Sequence, residues 1–296
     1  MYNAFFGFSE TPFSLSPDPA FFYRSQQHEE ALANLVYGVQ ARKGFIVLSG
    51  EVGTGKTMLA RMLLSCAPRA LDIAFIANPS LRRSEIVPVV ADELGVDLRG
   101  APPAQGLRVL QRALIERYAS GRRVVLVIDE AHAMRSDALE EVRLLSNLES
   151  SAHKLLQILL VGQDELREVL ARHEHRPLRE RITQRFHLAP LAGEEVTSYL
   201  DFRMQRAGGK RDVFDAMAVR QIAGASLGLI RRINILADKS LMAAYVENSP
   251  HVQRSHVQLA LGDAAFQAIR SGGAPAAQTA LGKIWRRYGL GRVGPA

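Results

Sequence analysis

Gly50-Glu51-Val52-Gly53-Thr54-Gly55-Lys56-Thr57 is the stretch that decides the fold. It fills every fixed position of the phosphate-loop pattern G-x-x-x-x-G-K-[ST]. The apolar run at residues 45–49 precedes it and a helix-forming segment follows, which is the context the pattern requires. Glycines allow backbone N–H groups to curl around phosphate oxygens where a side chain would obstruct the approach. The start of the following helix adds the positive end of its dipole. In such a loop Lys56 is expected to reach the β- and γ-phosphates and the Thr57 hydroxyl to ligate Mg²⁺. Residues 50–58, from Gly50 through Met58, are the expected lining of a nucleotide.

Working outward, residues 124–128 form a second dense apolar run that ends in Asp129-Glu130-Ala131-His132. A buried strand delivering two carboxylates at its C-terminal end places them where open α/β sheets bind ligands. Asp129 is expected in the Mg²⁺ shell, and Glu130, one residue on, is suited to polarise an attacking water. His132 either takes part or simply starts the next helix. Two more nearly all-apolar runs, 73–77 and 157–161, suit strands covered on both faces. Gln163 follows one of them and Asn78 the other. Gln163 is a candidate contact to the water or γ-phosphate, and Asn78 a candidate hydrogen-bond partner of Glu130. For both, a turn-capping role is the alternative.

Segments 58–66, 84–94, 106–120 and 136–150 are long enough for crossover helices, so a parallel α/β sandwich is expected. After Pro190 only helical spacing remains, at 194–207, 216–225, 229–245 and 254–268. The expected organisation is a lead-in over 1–25, broken by prolines, then a P-loop α/β domain over 26–191. A helical lid over 192–266 and a basic tail over 267–296 complete it. Arg181 and Arg185 lie four apart in the arginine-rich stretch 176–186, hence on one face if that stretch is helical. Either is a candidate to reach a neighbouring subunit's phosphate, and a solvated basic helix is the alternative. Arg231 and Arg232 stand side by side near the start of the 229–245 helix, and one of them is a candidate to fold back over the nucleotide.

Composition sets limits on this reading. The chain has 296 residues, 47% hydrophobic and 23% charged, the balance of a folded protein. A single cysteine, Cys66, excludes an internal disulfide and a Cys-rich metal cluster. No apolar run approaches the ~18 residues of a membrane span. The N-terminus lacks the pattern of a secretory signal, so a cytoplasmic protein is expected. Net charge is +7, but the five basic residues of the acid-free stretch 266–296 leave only +2 for residues 1–265. A broad basic face for nucleic acid is therefore not expected. In the tail, Leu281, Ile284, Trp285 and Tyr288 oppose Lys283, Arg286 and Arg287, an arrangement able to lie on an anionic membrane surface.

Taken in order, these pieces resemble the AAA+ superfamily, and more narrowly its general secretion pathway protein A (ExeA-type) ATPases and their pilus-biogenesis relatives. The narrower resemblance rests on Phe5-Phe6-Gly7-Phe8, Pro12-Phe13, Ser16-Pro17-Asp18-Pro19, His28-Glu29-Glu30-Ala31-Leu32, Tyr37-Gly38 and Gly44-Phe45-Ile46-Val47. Further matches are Val161-Gly162-Gln163, Gln184-Arg185 and residues 228–234. The resemblance implies Gln163 as first sensor, Arg185 as arginine finger with Arg181 in reserve, and Arg231 as second sensor. It also implies Phe22 and Tyr23 near the adenine.

Function follows as an expectation: an ATP hydrolase that uses Mg²⁺, assembles as a ring or filament on ATP binding, and acts on an envelope secretion or pilus assembly protein. Secretion members of that family often continue into a transmembrane helix and a periplasmic peptidoglycan-binding domain, which these 296 residues do not include. The expected membrane contact is therefore peripheral, at the inner membrane through the tail. The alternative is a regulator acting on DNA, like the AAA+ proteins of transposition.

Overall fold

The computed structural model describes residues 2–66, 70–100, 102–149, 154–210, 212–263 and 266–267. The linker at 271–275 and the amphipathic part of the tail lie outside these residues. In chain order the elements begin α1 (Asn3–Phe6), α2 (Gln26–Gln40), β1 (Phe45–Gly50), α3 (Lys56–Ser65) and β2 (Leu71–Ile76). They continue α4 (Arg83–Glu93), α5 (Pro103–Ala119), β3 (Arg123–Ile128), α6 (Ser136–Leu145) and β4 (Leu156–Gly162). After these come α7 (Glu165–Ala171), α8 (Arg176–Arg179) and β5 (Ile182–Leu188). The last four are α9 (Gly193–Arg206), α10 (Ala216–Ser226), α11 (Ile230–Val246) and α12 (Arg254–Leu261).

The chain divides into two compact units. One, Gln26–Ala189, holds a five-stranded parallel sheet in the order β2-β3-β4-β1-β5. Every residue of β1 and β4 is buried, which is why both read as nearly all-apolar runs; β2, expected to be covered on both faces, is an edge strand and only partly buried. Their side chains and those of β3 form the core with Ile86, Val90, Leu110, Leu139 and Val142 from the flanking helices. Strand β4 is inserted between β1 and β3. The three loops leaving the C-terminal ends of β1, β4 and β3 are thereby set side by side.

Strand β5 corrects the helical reading of the stretch around Arg181 and Arg185. Residues 182–188 alternate, with Ile182, Gln184 and Phe186 partly buried and Thr183, Arg185 and His187 exposed. Period-2 alternation is the signature of an edge strand with one wet face, and charge on such an edge also discourages pairing with another chain. Arg181 lies just before the strand and Arg185 in its middle, opposite Val47 of β1, so no helix face joins them. Helix α6 also ends at Leu145, short of the expected 150, because residues 149 and 154 form a bridge that leads into β4.

The other unit is helical and combines the described parts of residues 190–267 with residues 1–25. The N-terminal segment, read from its prolines as a lead-in, contributes Tyr2, Phe6, Phe8, Phe13 and Phe21 to the core formed by α9–α12. Arg203 on α9 fastens it. This guanidinium is 4% exposed and donates to the carbonyls of Pro12 at 2.6 Å and Ser14 at 3.2 Å. It also lies over the rings of Phe21 at 4.8 Å and Tyr199 at 5.8 Å. Planar geometry and several fixed donors make arginine the residue that can meet two carbonyls and two aromatic faces at once. Among the described residues no helix is long and apolar enough to cross a membrane.

Arg203→Met, which keeps the length of the side chain and removes its donors, is expected to lower unfolding stability by about 3 kcal/mol. It should also expose residues 1–25 to protease. Urea denaturation and limited proteolysis with mass readout check both effects.

Candidate nucleotide site

The loop between β1 and α3 takes its shape from its glycines. Gly53 and Gly55 have φ of 87° and 102°, values that favour glycine. At Gly50 a Cβ would run into the carbonyl of Leu188 at the end of β5. Thr54, only 1% exposed, braces the turn by donating its hydroxyl to the Glu51 carbonyl at 2.9 Å. Lys56 opens α3 and is 6% exposed. Its ammonium donates to the carbonyls of Gly50 and Glu51, both at 2.8 Å.

Seventy-two residues further on, the end of β3 meets this loop. The Thr57 hydroxyl donates to Asp129 Oδ2 at 2.8 Å, and Asp129 Oδ1 accepts the backbone N–H of Glu130 at 2.9 Å. Burial pushes the Asp129 carboxyl above its ordinary range, opposed by these two hydrogen bonds. Burial likewise pushes the Lys56 ammonium down, opposed by the charges of Glu130, Asp129, Asp164 and Glu165. Each buried charge thus offsets part of the desolvation cost of the other.

Glu130 stands out in its backbone. It is a non-glycine residue at φ 52° and ψ 31°, in the left-handed region, with its side chain 48% exposed. Two groups face its carboxylate. Gln163 Nε2, at the end of β4, donates to Oε2 at 3.2 Å, and His132 Nε2 lies 3.5 Å from the same oxygen. His132 Nδ1 accepts the backbone N–H of Gln163 at 3.4 Å, so its ring proton sits on the nitrogen that faces Glu130. Asn78 does something else: its side chain accepts the backbone N–H of Ser80 at 3.2 Å, a turn-stabilising bond, and the carboxylate contacts come from β4 and the Ala131–Ala133 turn instead.

The arginines separate clearly. Arg181 Nη1 donates to Ser146 Oγ at 2.7 Å and bonds the Asn147 side chain, closing the C-terminal end of α6. Arg185 is exposed on the edge strand, with one bond to the Arg179 carbonyl at 3.4 Å. Arg231 is exposed in the first turn of α11, in the helical unit, where Tyr23 also packs edge-on against Tyr199 at 5.5 Å. Two features escaped the sequence reading. His28 of α2 reaches the Thr54 carbonyl at 3.0 Å. His187 of β5 lies 3.3 Å from Asp164 and 3.4 Å from Ser49, the residue before the loop. His28 stands in the family-like stretch 28–32 and His187 outside the stretches that carry the resemblance; for both, position in the fold alone reveals the contact.

Comparison with known proteins bears on the fold and the sequence relationship. Residues 39–170 match the AAA domain family. The chain is 41% identical over 264 residues to the general secretion pathway protein A of Aeromonas hydrophila, covering 88% of this chain and 48% of that protein. It therefore spans about half the length of this relative. Among solved structures, the Aeropyrum pernix ORC2 protein in its ADPNP-ADP complexes aligns with a TM-score of 0.66 at 18% identity, over 86% of this chain and 71% of that one. The ORC1 protein of the same organism, in complex with DNA, aligns with a TM-score of 0.64 at 19% identity, over 97% and 84%. At such identities the two solved structures speak for the fold alone. The phosphate loop, the parallel sheet and the long match in sequence lead to one statement: the chain is a P-loop protein of the AAA+ fold, related over most of its length to general secretion pathway protein A.

Proposed function

We propose that this chain binds ATP with Mg²⁺ at the 50–58 loop, hydrolyses it, and couples the cycle to an envelope secretion or pilus assembly partner. The observation that carries the reading is the meeting of Thr57 Oγ1 and Asp129 Oδ2 at 2.8 Å beside the glycine-shaped loop. A hydroxyl and a carboxylate are hard oxygen donors of the kind Mg²⁺ takes. Inward N–H groups at a helix start, with an ammonium beside them, suit a polyphosphate. The residues present fit both groups. When bound, Mg²⁺-ATP supplies the phosphoryl group that is transferred to water and part of the charge neutralisation.

The chain's own residues do the rest. Gly50, Glu51, Val52, Gly53, Thr54, Gly55 and Met58 line the nucleotide, and Lys56 exchanges its two carbonyl partners for phosphate oxygens. Thr57 and Asp129 hold the metal. Glu130 takes a proton from the attacking water, and Gln163, already bonded to it, orients the pair. Arg185 of a second copy completes the site, since Arg181 is committed to α6 within its own chain. Arg231 enters this reading only through the resemblance.

Assembly is then a ring or filament that forms on ATP binding, at the cytoplasmic side of the inner membrane, with the 267–296 tail as peripheral contact. The partner class is supported by the 41% identity to a secretion pathway protein. A DNA-acting role has less support, because the +2 carried by residues 1–265 leaves little surplus for a phosphate backbone.

Turnover per subunit is expected to rise with protein concentration, and Arg185→Ala should cost about a thousandfold. Constant specific activity across the assembly range would contradict the shared site. Glu130→Gln should still take up a fluorescent ATP analogue while hydrolysis falls by about 10²-fold or more. Because burial works against the Lys56 charge while the Gly50 and Glu51 carbonyls use its donors, Lys56→Met is expected to shift the thermal midpoint little while nucleotide uptake is lost. Differential scanning fluorimetry beside a binding titration checks that contrast.

A further inference from the structure

A loop that gathers N–H groups on its inner face must turn carbonyls outward, and each buried carbonyl then needs a donor. In the 50–57 loop the carbonyls of Gly50 and Glu51 are met by Lys56 and, for Glu51, also by the Thr54 hydroxyl. The Thr54 carbonyl is met from outside the loop. His28 Nε2 lies 3.0 Å from it, and the His28 residue is 2% exposed. A carbonyl only accepts, so the ring carries its proton on Nε2.

The consequence follows from peptide planarity. The C=O of Thr54 and the N–H of Gly55 belong to one trans peptide plane and point in opposite directions. A flip of that plane turns ψ of Thr54 and φ of Gly55, and Gly55, a glycine at φ 102°, gives it little resistance. A donor that holds the carbonyl outward therefore holds the Gly55 N–H inward. The ring is well placed to do so, because its helix is fixed to the sheet. Gln27 accepts the backbone N–H of Ala189, just beyond β5, at 3.1 Å. At Gly38 α2 lies so close to β5 that a Cβ would run into the Gln184 side chain.

We propose that His28 is a positioning residue of the phosphate loop: its Nε2–H pins the Thr54 peptide so that the Gly55 N–H faces the anion. This rests on the nucleotide reading above and names a residue outside the loop on which that site's affinity depends. In this reading His28 acts on the anion site through the Thr54 carbonyl.

The test compares His28→Phe and His28→Gln in the full chain, with Lys56→Ala as reference. Phenylalanine keeps a flat ring of similar volume without the donor. Glutamine returns an N–H at nearly the reach of Nε2. Titration with a fluorescent ATP analogue in Mg²⁺ should show the Phe variant weakened about tenfold and the Gln variant restored to within about threefold of the parent. Amide hydrogen exchange of residues 53–57 in the nucleotide-free protein should quicken in the Phe variant and return towards the parent rate in the Gln variant. Equal affinity and equal exchange in parent and Phe variant overturn the proposal. So does a Phe variant that binds weakly with no rescue by Gln, which marks a packing role. If the parent itself takes up no nucleotide, the nucleotide reading falls and this inference with it. If the parent binds and Lys56→Ala does not, the nucleotide reading stands and the two His28 variants alone decide.

Discussion

The hydroxyl of Thr57 and the carboxylate of Asp129 meet because of strand order rather than chain order. Seventy-two residues separate them, and β4, which lies between their strands, comes later in the chain than either. Had β3 paired directly with β1, no slot would remain for the end of β4 and for Gln163. The buried strands β1, β3 and β4 therefore act as a jig. Their apolar side chains hold three polar loops at fixed spacing at one end of the sheet. Burial at that end works against both the Lys56 and the Asp129 charges, and each makes the other tolerable.

Much of this was legible in the amino-acid sequence, for identifiable reasons. The runs of β1, β3 and β4 are buried on both faces and so are nearly free of polar residues, while β2, at the other edge, is apolar though only partly buried. The phosphate loop needs glycines at set positions, and such needs leave a pattern. Strand β5 left none of the same kind. At the edge of the sheet one of its faces is wet, and Thr183, Arg185 and His187 break the run into something that passes for a basic helix. The separation of Arg181 from Arg185 was hidden for the same reason. His28 meets the Thr54 carbonyl of a distant loop and His132 faces both Glu130 and Gln163, contacts that the stretches holding these residues do not spell out.

The helical unit shows a related blind spot. Three prolines between residues 12 and 19 do forbid regular structure, yet irregular chain can still be tightly held. The aromatic residues on either side of those prolines fill the core of α9–α12, and Arg203 meets the carbonyls that the irregular backbone leaves without helix or sheet partners. Proline content says what a segment cannot form and is silent on what it packs against.

One backbone angle bears on how this protein tolerates change. Glu130 occupies a left-handed conformation that glycine or asparagine would adopt with less strain, a difference of about 1 kcal/mol. A library screened only for heat resistance would drift away from glutamate at this position, shedding the side chain nearest Gln163 and His132 while improving the fold. Thermal tolerance and the chemistry of this corner thus pull the same codon in opposite directions.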